Sequence, residues 1–239
     1  MLDKNKSIVL FSGGQDSSAC LIWALTKFKE VQTIGFDYGQ RHNIELKCRK
    51  KLLKNIKLIE DDFYGGLSND FIINLKEIKN LTKSSLLNSD NIEIMENGLP
   101  NSFVPGRNLI FLNYAAIISY QNNIQNIIGG MCETDFSGYP DCRNNTIQSM
   151  EKSLSLGMDE NFKIQTPLMY KSKKEIWDLI YTLGGEDLIN ITVEDSHTCY
   201  KGDRSKRYSW GYGCNSCPAC ELRAKGWNEF TQKYPKLKI

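Results

Sequence analysis

The sequence predicts an α/β fold in which a parallel sheet is flanked by helices on both faces. Short apolar segments alternate along the chain with longer helix-like segments, and this alternation is typical of a parallel sheet. A glycine-rich polar loop joins the first apolar segment directly to a helix-like segment. A chain of 239 residues with 41% hydrophobic content can bury the core that such a sheet requires.

Each predicted element follows from a short apolar run or a longer helix-like run. The predicted strands are 8–11, 33–36, 57–59 and 126–128, with a fifth that ends at 164–165. The predicted helices are 16–28, 43–53, 107–120, 144–156 and 173–183. The polar stretch 67–98 has the weakest pattern, and it is interpreted as either a mobile lid or a long surface excursion.

The composition and charge argue against several classes of protein. Thirty basic and 28 acidic residues leave a net charge of +2, which is not the signature of a polyanion-binding protein. The N-terminal segment lacks the features of a signal peptide, and no apolar run reaches membrane-spanning length. We therefore expect a cytoplasmic protein without a membrane partner, whose eight cysteines are reduced thiols and not a disulfide framework.

The loop 12–18, with the sequence S-G-G-Q-D-S-S, is the most informative segment of the chain. Its two glycines allow a tight turn that exposes backbone N–H groups, and the helix that follows adds further unpaired N–H groups. Asp16 can cap that helix or hold Mg²⁺ against phosphate oxygens. The pattern resembles the pyrophosphate loop of the ATP pyrophosphatase superfamily, and an ordinary glycine turn is the alternative. The predicted ATP-binding segment comprises Leu10, Phe11, Ser12, Gly13, Gly14, Gln15, Asp16, Ser17, Ser18, Ala19 and Cys20.

Four cysteines near the C-terminus follow the spacing C-x14-C-x2-C-x2-C, and they are Cys199, Cys214, Cys217 and Cys220. Thiolates are soft ligands, and four of them suit a tetrahedral zinc ion with no open position, so the predicted zinc is structural. An iron–sulfur cluster also uses four thiolates, and four unrelated buried thiols are the remaining alternative.

Further polar loops are expected near the carboxyl ends of strands, where parallel sheets bind ligands. The segments 37–42 and 135–143 contain polar and aromatic side chains that can hold a planar base. Arg107 opens a predicted helix and can bind a phosphate or a carboxylate with two parallel hydrogen bonds. Ordinary turns and helix caps are the alternative interpretation of these loops.

Six motifs occur in order along the chain: S-G-G-Q-D-S-S, D-Y-G-Q-R-H, V-P-G-R-N, D-x-S-G-Y-P-D-C-R, T-P-L-M and T-C-Y…C-x-x-C-x-x-C-x-x-R. Together, from residue 8 to about residue 227, they resemble the 7-cyano-7-deazaguanine synthase (QueC) family of the queuosine pathway. The resemblance implies a Rossmann-like adenine nucleotide alpha hydrolase fold, with a pyrophosphate-loop domain at 1–190 and a zinc module at 191–239 packed on it. One departure from the family pattern is the basic and aromatic insert 204–210 between the first two clustered cysteines. The shape of this part of the zinc module stays open.

The resemblance further implies a carbon–nitrogen ligase that converts 7-carboxy-7-deazaguanine and ammonia into the nitrile preQ0. Two ATP would each be split into AMP and diphosphate, with Mg-ATP as co-substrate and one structural zinc ion per chain. An adenylated carboxylate would react with ammonia to give an amide, and the second ATP would activate that amide. A homodimer is also expected from the resemblance, with no nucleic-acid partner.

The implied roles divide the site residues into three groups. Asp16, Arg107 and Lys173 are the expected catalytic residues: Asp16 holds Mg²⁺ on the phosphates, and the two cations offset the charge of the phosphates or the adenylate. The candidates for holding the base are Tyr38, Gln40, Arg41, Asp135, Tyr139 and Asp141. The four clustered cysteines are the implied zinc ligands.

Two other functions stay open at this point. A tRNA-thiolating enzyme of the same superfamily also pairs this loop with cysteines, but it needs a reactive exposed thiol and a basic tRNA-binding surface. Alternatively, the C-terminal module is a zinc-ribbon-like nucleic-acid binder whose contacts are Arg204, Lys206, Arg207, Tyr208 and Trp210. The metal-type spacing of the cysteines and the small net charge favour the synthase.

Overall fold

The computed structural model describes residues 1–40, 43–59, 63–87, 93–133 and 138–237. The main sheet consists of β1 (Asp3–Leu10), β2 (Glu30–Asp37), β3 (Gly66–Asn74), β4 (Ile124–Ile128) and β5 (Lys163–Gln165). The helices are α1 (Gln15–Leu25), α2 (Ile44–Leu58), α3 (Arg107–Gln121), α4 (Asn144–Gly157), α5 (Lys173–Asp195) and α6 (Pro218–Lys233). A hairpin of β6 (Arg207–Tyr208) and β7 (Gly211–Tyr212) precedes α6, and 3₁₀ turns lie at Lys76–Asn80 and Pro140–Cys142.

All strands of the main sheet are parallel, and their order is β3-β2-β1-β4-β5. The central strand β1 is paired on both sides, so that Ile8 lies opposite Gln32 of β2 and Ile127 of β4. Along the chain, β2 and β3 are added on one side of β1, and β4 and β5 are then added on its other side. A crevice opens at such a reversal, beyond the carboxyl ends of the strands, and here it lies between β1 and β4.

Apolar layers cover both faces of this sheet. One layer combines α1, α2, α5 and α6 and includes Trp177, whose ring packs edge-on against Trp227 with 4.9 Å between centroids. The other layer is formed by α3 and α4 and includes Leu112 and Ile147. The predicted α/β class, with helices flanking a parallel sheet, is confirmed. None of the helices in the described ranges has the length and hydropathy needed to cross a bilayer.

The prediction of a strand at 57–59 is wrong, because α2 continues to Leu58. The helix buries Cys48, Leu52 and Ile56, which recur every four residues on one face. The apolar residues near its end therefore belong to a helical period, and the short run taken alone is ambiguous between helix and strand.

The third strand is β3, which lies in the segment 67–98 that the sequence presents as a lid or a surface excursion. This strand forms one edge of the sheet and pairs with β2 alone. Polar residues such as Ser68 and Asn69 are exposed on it. An edge strand has no second neighbour and often carries polar residues, so its hydrophobic pattern is too weak to be recognised from the sequence.

The expected boundary between 1–190 and 191–239 falls inside α5, which is kinked at Gly184 and Gly185. Gly185 has a φ of +61°, in the left-handed region where glycine is favoured. Buried residues of α5 and α6 share one apolar cluster with α1. The division into two parts stays a proposal.

A fully buried arginine, Arg49 of α2, connects the end of β1 with the edge strand β3. Its Nε donates to the carbonyl oxygen of Phe11 at 2.8 Å, and its Nη1 donates to Asp70 Oδ2 at 2.7 Å. Its Nη2 donates to the other oxygen of Asp70, which also accepts from Thr33 Oγ1 at 2.6 Å. The Asp70 carboxylate of β3 thus balances the positive charge of a guanidinium that water does not reach.

Replacing Asp70 with Ala should lower the free energy of unfolding by about 2 kcal/mol. Removing the carboxylate leaves Arg49 buried without its charge partner. The destabilisation is smaller than for a fully buried pair, because Asp70 retains access to water. Urea unfolding followed by circular dichroism measures the change. Asn69→Ala, an exposed neighbour on the same strand, is the control, and equal losses for the two variants would contradict this role of Asp70.

Candidate active site

A cavity of about 320 Å³ lies beyond the carboxyl ends of β1, β2 and β4, where the strand order reverses. It is lined by the loops that follow β1 and β4, by the end of β2 and by the first turns of α2, α3 and α5. The segment 197–200 and α6 form the remaining wall. Both the position and the volume are typical of small-ligand sites in parallel sheets.

The loop after β1 is a tight turn held by its own hydroxyl groups. The backbone N–H of Gly13 donates to Ser17 Oγ at 3.2 Å, and the N–H of Gly14 donates to Ser12 Oγ at 3.2 Å. Gly14 is also the N-cap of α1, so the loop leads directly into the unpaired N–H groups of that helix. Unpaired N–H groups at a helix start that follows a tight glycine turn favour an anion such as a phosphate group.

Gly13 is required by geometry at the centre of this turn. Its φ is +95°, and a Cβ there would lie 2.8 Å from the backbone nitrogen of Arg49 and from the carbonyl oxygen of Glu45. Its own carbonyl oxygen accepts from the backbone N–H of His197 at 3.0 Å. The turn is therefore enclosed by α2 on one side and by the C-terminal part of the chain on the other.

Most of the predicted ATP-binding segment lines the cavity, namely Leu10, Phe11, Ser12, Gly14, Gln15, Asp16 and Ser17. Ala19 and Cys20 instead belong to the buried face of α1. Burial raises the pKa of the Cys20 thiol, which makes this cysteine an unreactive core residue. Gln15 is 1% exposed, and neither atom of its amide has a hydrogen-bond partner among the described residues, so it offers these atoms to a ligand.

The first turn of α5 brings a lysine to the loop. Ser172 caps this helix in a capping box with Glu175, which fixes Lys173 as its first residue. Lys173 Nζ lies 2.7 Å from Asp16 Oδ2. The other oxygen of Asp16 is buried and has no hydrogen-bond partner in the described ranges. A free carboxylate oxygen beside a phosphate-type loop is a suitable ligand for Mg²⁺.

Arg107 and a group of aromatic rings form the opposite wall. The Arg107 side chain lies over the ring of Tyr38, 5.5 Å from its centroid, and Nη1 donates to the Tyr38 hydroxyl at 3.4 Å. The rings of Phe36 and Phe111 stack at 4.0 Å. Flat aromatic rings with a cation over them are suited to a planar heterocycle that carries a negative group.

The predicted base-holding residues have different surroundings. Tyr38, Gln40 and Tyr139 line the cavity, and the Tyr139 hydroxyl is 2.7 Å from Ser102 Oγ. Asp141 is buried and accepts from the backbone N–H of Asn108 at 3.0 Å, so that it stabilises the start of α3. Arg41 and Asp135 lie outside the described residues.

Glu45 is a cavity residue that the sequence analysis did not single out. It lies in the first turn of α2, three residues after the polar segment 37–42. Burial raises its pKa to about 7, with a smaller contribution from Cys199, while the nearby Arg107 guanidinium opposes the rise. Its position after a strand-end loop was the available signal, but a glutamate there is equally typical of a helix start.

The four predicted metal ligands come together in the structure. One ligand atom from each of Cys199, Cys214, Cys217 and Cys220 lies within 4.8 Å of the others. Hydrogen bonds from Cys217 and Cys220 hold the pKa of the Cys199 thiol well below its usual value, and the hydrogen bonds with Cys199 raise the pKa of Cys217 and Cys220. The donor set fits a soft metal such as zinc.

The insert 204–210 is engaged in contacts within the protein. Arg204 Nη1 donates to the carbonyl oxygen of Ser196 at 3.1 Å, and its guanidinium lies 4.1 Å from the centroid of the Tyr212 ring. Arg207 pairs with Glu194 at 2.6 Å, and Trp210 is buried. The side chains proposed as nucleic-acid contacts thus largely fasten the hairpin to the end of α5.

A family model described as "Queuosine biosynthesis protein QueC" matches residues 6–231. The chain belongs to this family. The 7-cyano-7-deazaguanine synthase of Rhodopseudomonas palustris is 53% identical over 224 residues, which cover 94% of each chain. The 7-cyano-7-deazaguanine synthase of Gluconobacter oxydans is 49% identical and covers 98% of this chain and 97% of its own length. The resemblance inferred from six motifs is confirmed over nearly the whole chain.

The QueC chain also resembles a 4-thiouridine synthetase solved in complex with RNA and with bound ATP. The TM-score is 0.52 at 17% identity, and the similarity covers 95% of this chain and 53% of the other, so that this chain spans about half of its length. At this identity the likeness shows the fold alone. The predicted Rossmann-like fold is confirmed.

Replacing Cys217 with Ser should remove most of the metal that the purified protein carries, because a four-thiolate site loses affinity when one soft ligand is replaced by a hydroxyl. The control is Cys142→Ser, since Cys142 lies outside the cluster. Elemental analysis by mass spectrometry gives the metal content per chain. Equal contents in the two variants would contradict the assignment of the ligands.

Proposed function

We propose that this QueC protein converts 7-carboxy-7-deazaguanine and ammonia into 7-cyano-7-deazaguanine at the expense of ATP. The observation that carries the proposal is a single cavity that adjoins both a phosphate-type loop and a wall of aromatic rings with a cation. Such a cavity can hold a nucleotide and a planar base side by side. The family and the names of the relatives are consistent with this reaction.

In the first step, an oxygen of the substrate carboxylate attacks the α-phosphorus of ATP, and the bond to diphosphate breaks. The unpaired N–H groups at the start of α1 would bind the departing diphosphate, and internal hydrogen bonds hold the loop 12–18 in the turn that presents them. Lys173 and Arg107 offset the negative charge that accumulates on the phosphates and on the acyl-adenylate. Both cations already face the cavity, and Lys173 is held by Asp16.

In the second step, ammonia attacks the acyl carbon, AMP leaves, and an amide forms. The amide oxygen then attacks the α-phosphorus of another ATP. Diphosphate leaves and the amide nitrogen loses one proton; the C–O bond to AMP then breaks and the nitrogen loses its second proton, which leaves the nitrile. Each nitrile therefore requires two ATP, which yield two AMP and two diphosphate. The base is held throughout by Tyr38, Gln40 and Tyr139, with Arg41, Asp135 and Asp141 as further candidates.

Two metals have separate places in this proposal. Mg²⁺, which neutralises phosphate charge when bound, would be held by the unpaired oxygen of Asp16. Zinc would be held by the four clustered cysteines, where all four positions are filled by protein, so its role is structural. We also propose the division into a nucleotide part, 1–190, and a zinc part, 191–239.

We further propose that the protein is a cytoplasmic homodimer. The cytoplasm keeps thiols reduced, as the clustered cysteines require for metal binding. Exposed apolar side chains such as Leu58, Leu81 and Leu156 are available for a subunit contact. Sedimentation analysis at micromolar concentration distinguishes a dimer from a monomer.

The reaction should yield two AMP for each nitrile when the purified protein is incubated with 7-carboxy-7-deazaguanine, ammonium and Mg-ATP. With ¹⁸O in the substrate carboxylate, label should appear in AMP, because both carboxylate oxygens leave on the α-phosphorus. Mass spectrometry of the products measures both quantities. Label in inorganic phosphate together with ADP would mean that the γ-phosphorus is attacked, and the proposed mechanism would then be wrong.

Replacing Gly13 with Ala should raise KM for ATP by about tenfold, equivalent to ~1.4 kcal/mol of binding. A methyl group there meets the backbone of α2 at 2.8 Å, and the φ of +95° disfavours any side chain, so the loop must distort. Steady-state kinetics of AMP release give KM. The control is Gly157→Ala, where an added Cβ meets nothing within 4 Å. An unchanged KM in Gly13→Ala would show that the turn is not part of the ATP site.

A further inference from the structure

The nitrogen donor of the proposed reaction poses a charge problem that the residues discussed so far do not solve. In neutral water ammonia is mostly present as ammonium, which has no lone pair and cannot attack a carbonyl carbon. A site that uses free ammonium therefore benefits from a group that attracts the cation and then accepts a proton from it. Such a group must reach the cavity.

Two carboxylates line the cavity among the described residues, Asp16 and Glu45. Asp16 is already paired with Lys173 at 2.7 Å. No salt bridge within the described ranges involves Glu45, which lines the same cavity. Its strongest favourable charge interaction is with Arg107, which lies on the aromatic wall.

The backbone places Glu45 beside the reacting groups. Its carbonyl oxygen lies 2.8 Å from the position of a Cβ at Gly13, so the first turn of α2 packs directly on the phosphate-type loop. The acyl-adenylate forms where the substrate carboxylate meets the α-phosphorus, which must lie next to this loop. A nucleophile held at Glu45 approaches from the α2 side of the cavity.

We propose that Glu45 binds the ammonium ion inside the cavity and accepts a proton from it, which frees the nitrogen lone pair for attack on the acyl-adenylate. This inference rests on the proposed function. One N–H bond of ammonium breaks and its proton passes to the Glu45 carboxylate. The C–N bond then forms, the C–O bond to AMP breaks, and a second proton leaves the nitrogen for solvent, so that the neutral amide remains.

The surroundings of Glu45 suit a proton acceptor. Burial raises its pKa to about 7, the range in which a general base works best at neutral pH. The charged groups that act on it are Arg107 of α3, which opposes this rise, and Cys199 of the cysteine cluster, which adds to it. The alternative role is structural, since an acidic residue in the first turn of a helix stabilises the helix dipole.

The test is Glu45→Gln, which keeps the size of the side chain and removes its charge. In the absence of ammonium, exchange of labelled diphosphate into ATP, which needs the substrate acid and reports adenylation, should match that of the wild type. The value of kcat/KM for ammonium should fall about 100-fold, a typical contribution of a general base. Glu221→Gln, an exposed glutamate in the first turn of α6, is the matched control and should keep the wild-type value.

Hydroxylamine separates the base from a structural role, because it is largely neutral at pH 7 and needs no proton acceptor to become a nucleophile. The Glu45→Gln variant should form the hydroxamate at nearly the wild-type rate. A parallel loss of the hydroxylamine and ammonium reactions, or a parallel loss of diphosphate exchange, would overturn the proposal. Lack of exchange in the wild-type protein would overturn the proposed function, and the inference with it.

Discussion

The contacts around Gly13 are the constraint on which the rest of the site depends. Three separate parts of the chain meet at this residue: the end of β1, the backbone of α2 at Glu45 and Arg49, and the N–H of His197. A side chain at Gly13 would meet the backbone of α2 at 2.8 Å and push this helix away from the turn. The turn therefore fixes the phosphate-type loop, the entry of α2 and the C-terminal wall of the cavity relative to one another, which is the preorganisation that transfer chemistry needs.

The charges of the cavity follow from this arrangement. Lys173 reaches the loop because a capping box starts α5 at that point, and its Nζ lies 2.7 Å from Asp16 Oδ2. Arg107 begins α3 on the other wall, and the carboxylate of Asp141 supports that helix start by accepting from the N–H of Asn108. The two cations therefore come from two helix starts on opposite sides of one sheet. Donors fixed in this way can stabilise developing charge without first being reorganised.

The sequence predicted the parts of the site that are local in the chain and missed the parts that depend on tertiary contacts. The loop 12–18 and the cysteine spacing are encoded within a few residues, so both were recognised, and the structure brings the four cysteines together. Strand β3 was missed because it lies at the sheet edge and shows little periodicity. Glu45 and Phe111 were missed because only the packing of α2 and α3 against the strand ends brings them to the cavity. Asp141 has the surroundings of a helix cap, and the sequence pattern cannot distinguish an aspartate that caps a helix from one that holds a base.

The cysteine cluster contributes to the site through the segment that leads into it. His197 donates to Gly13, the hydroxyl of Thr198 accepts from Arg223 at 3.0 Å, and Cys199 is the first of the clustered thiols. Three successive residues are thus fastened to the loop, to a buried guanidinium and to the metal-type site. Burial lowers the pKa of Arg223 to about 10, so it stays charged at neutral pH. A site whose four positions are all filled by thiolates has no place for a substrate, yet it fixes the wall that holds the phosphate-type loop. We propose that the cluster acts on the reaction by position, as a brace for the loop, and not as a carrier of sulfur.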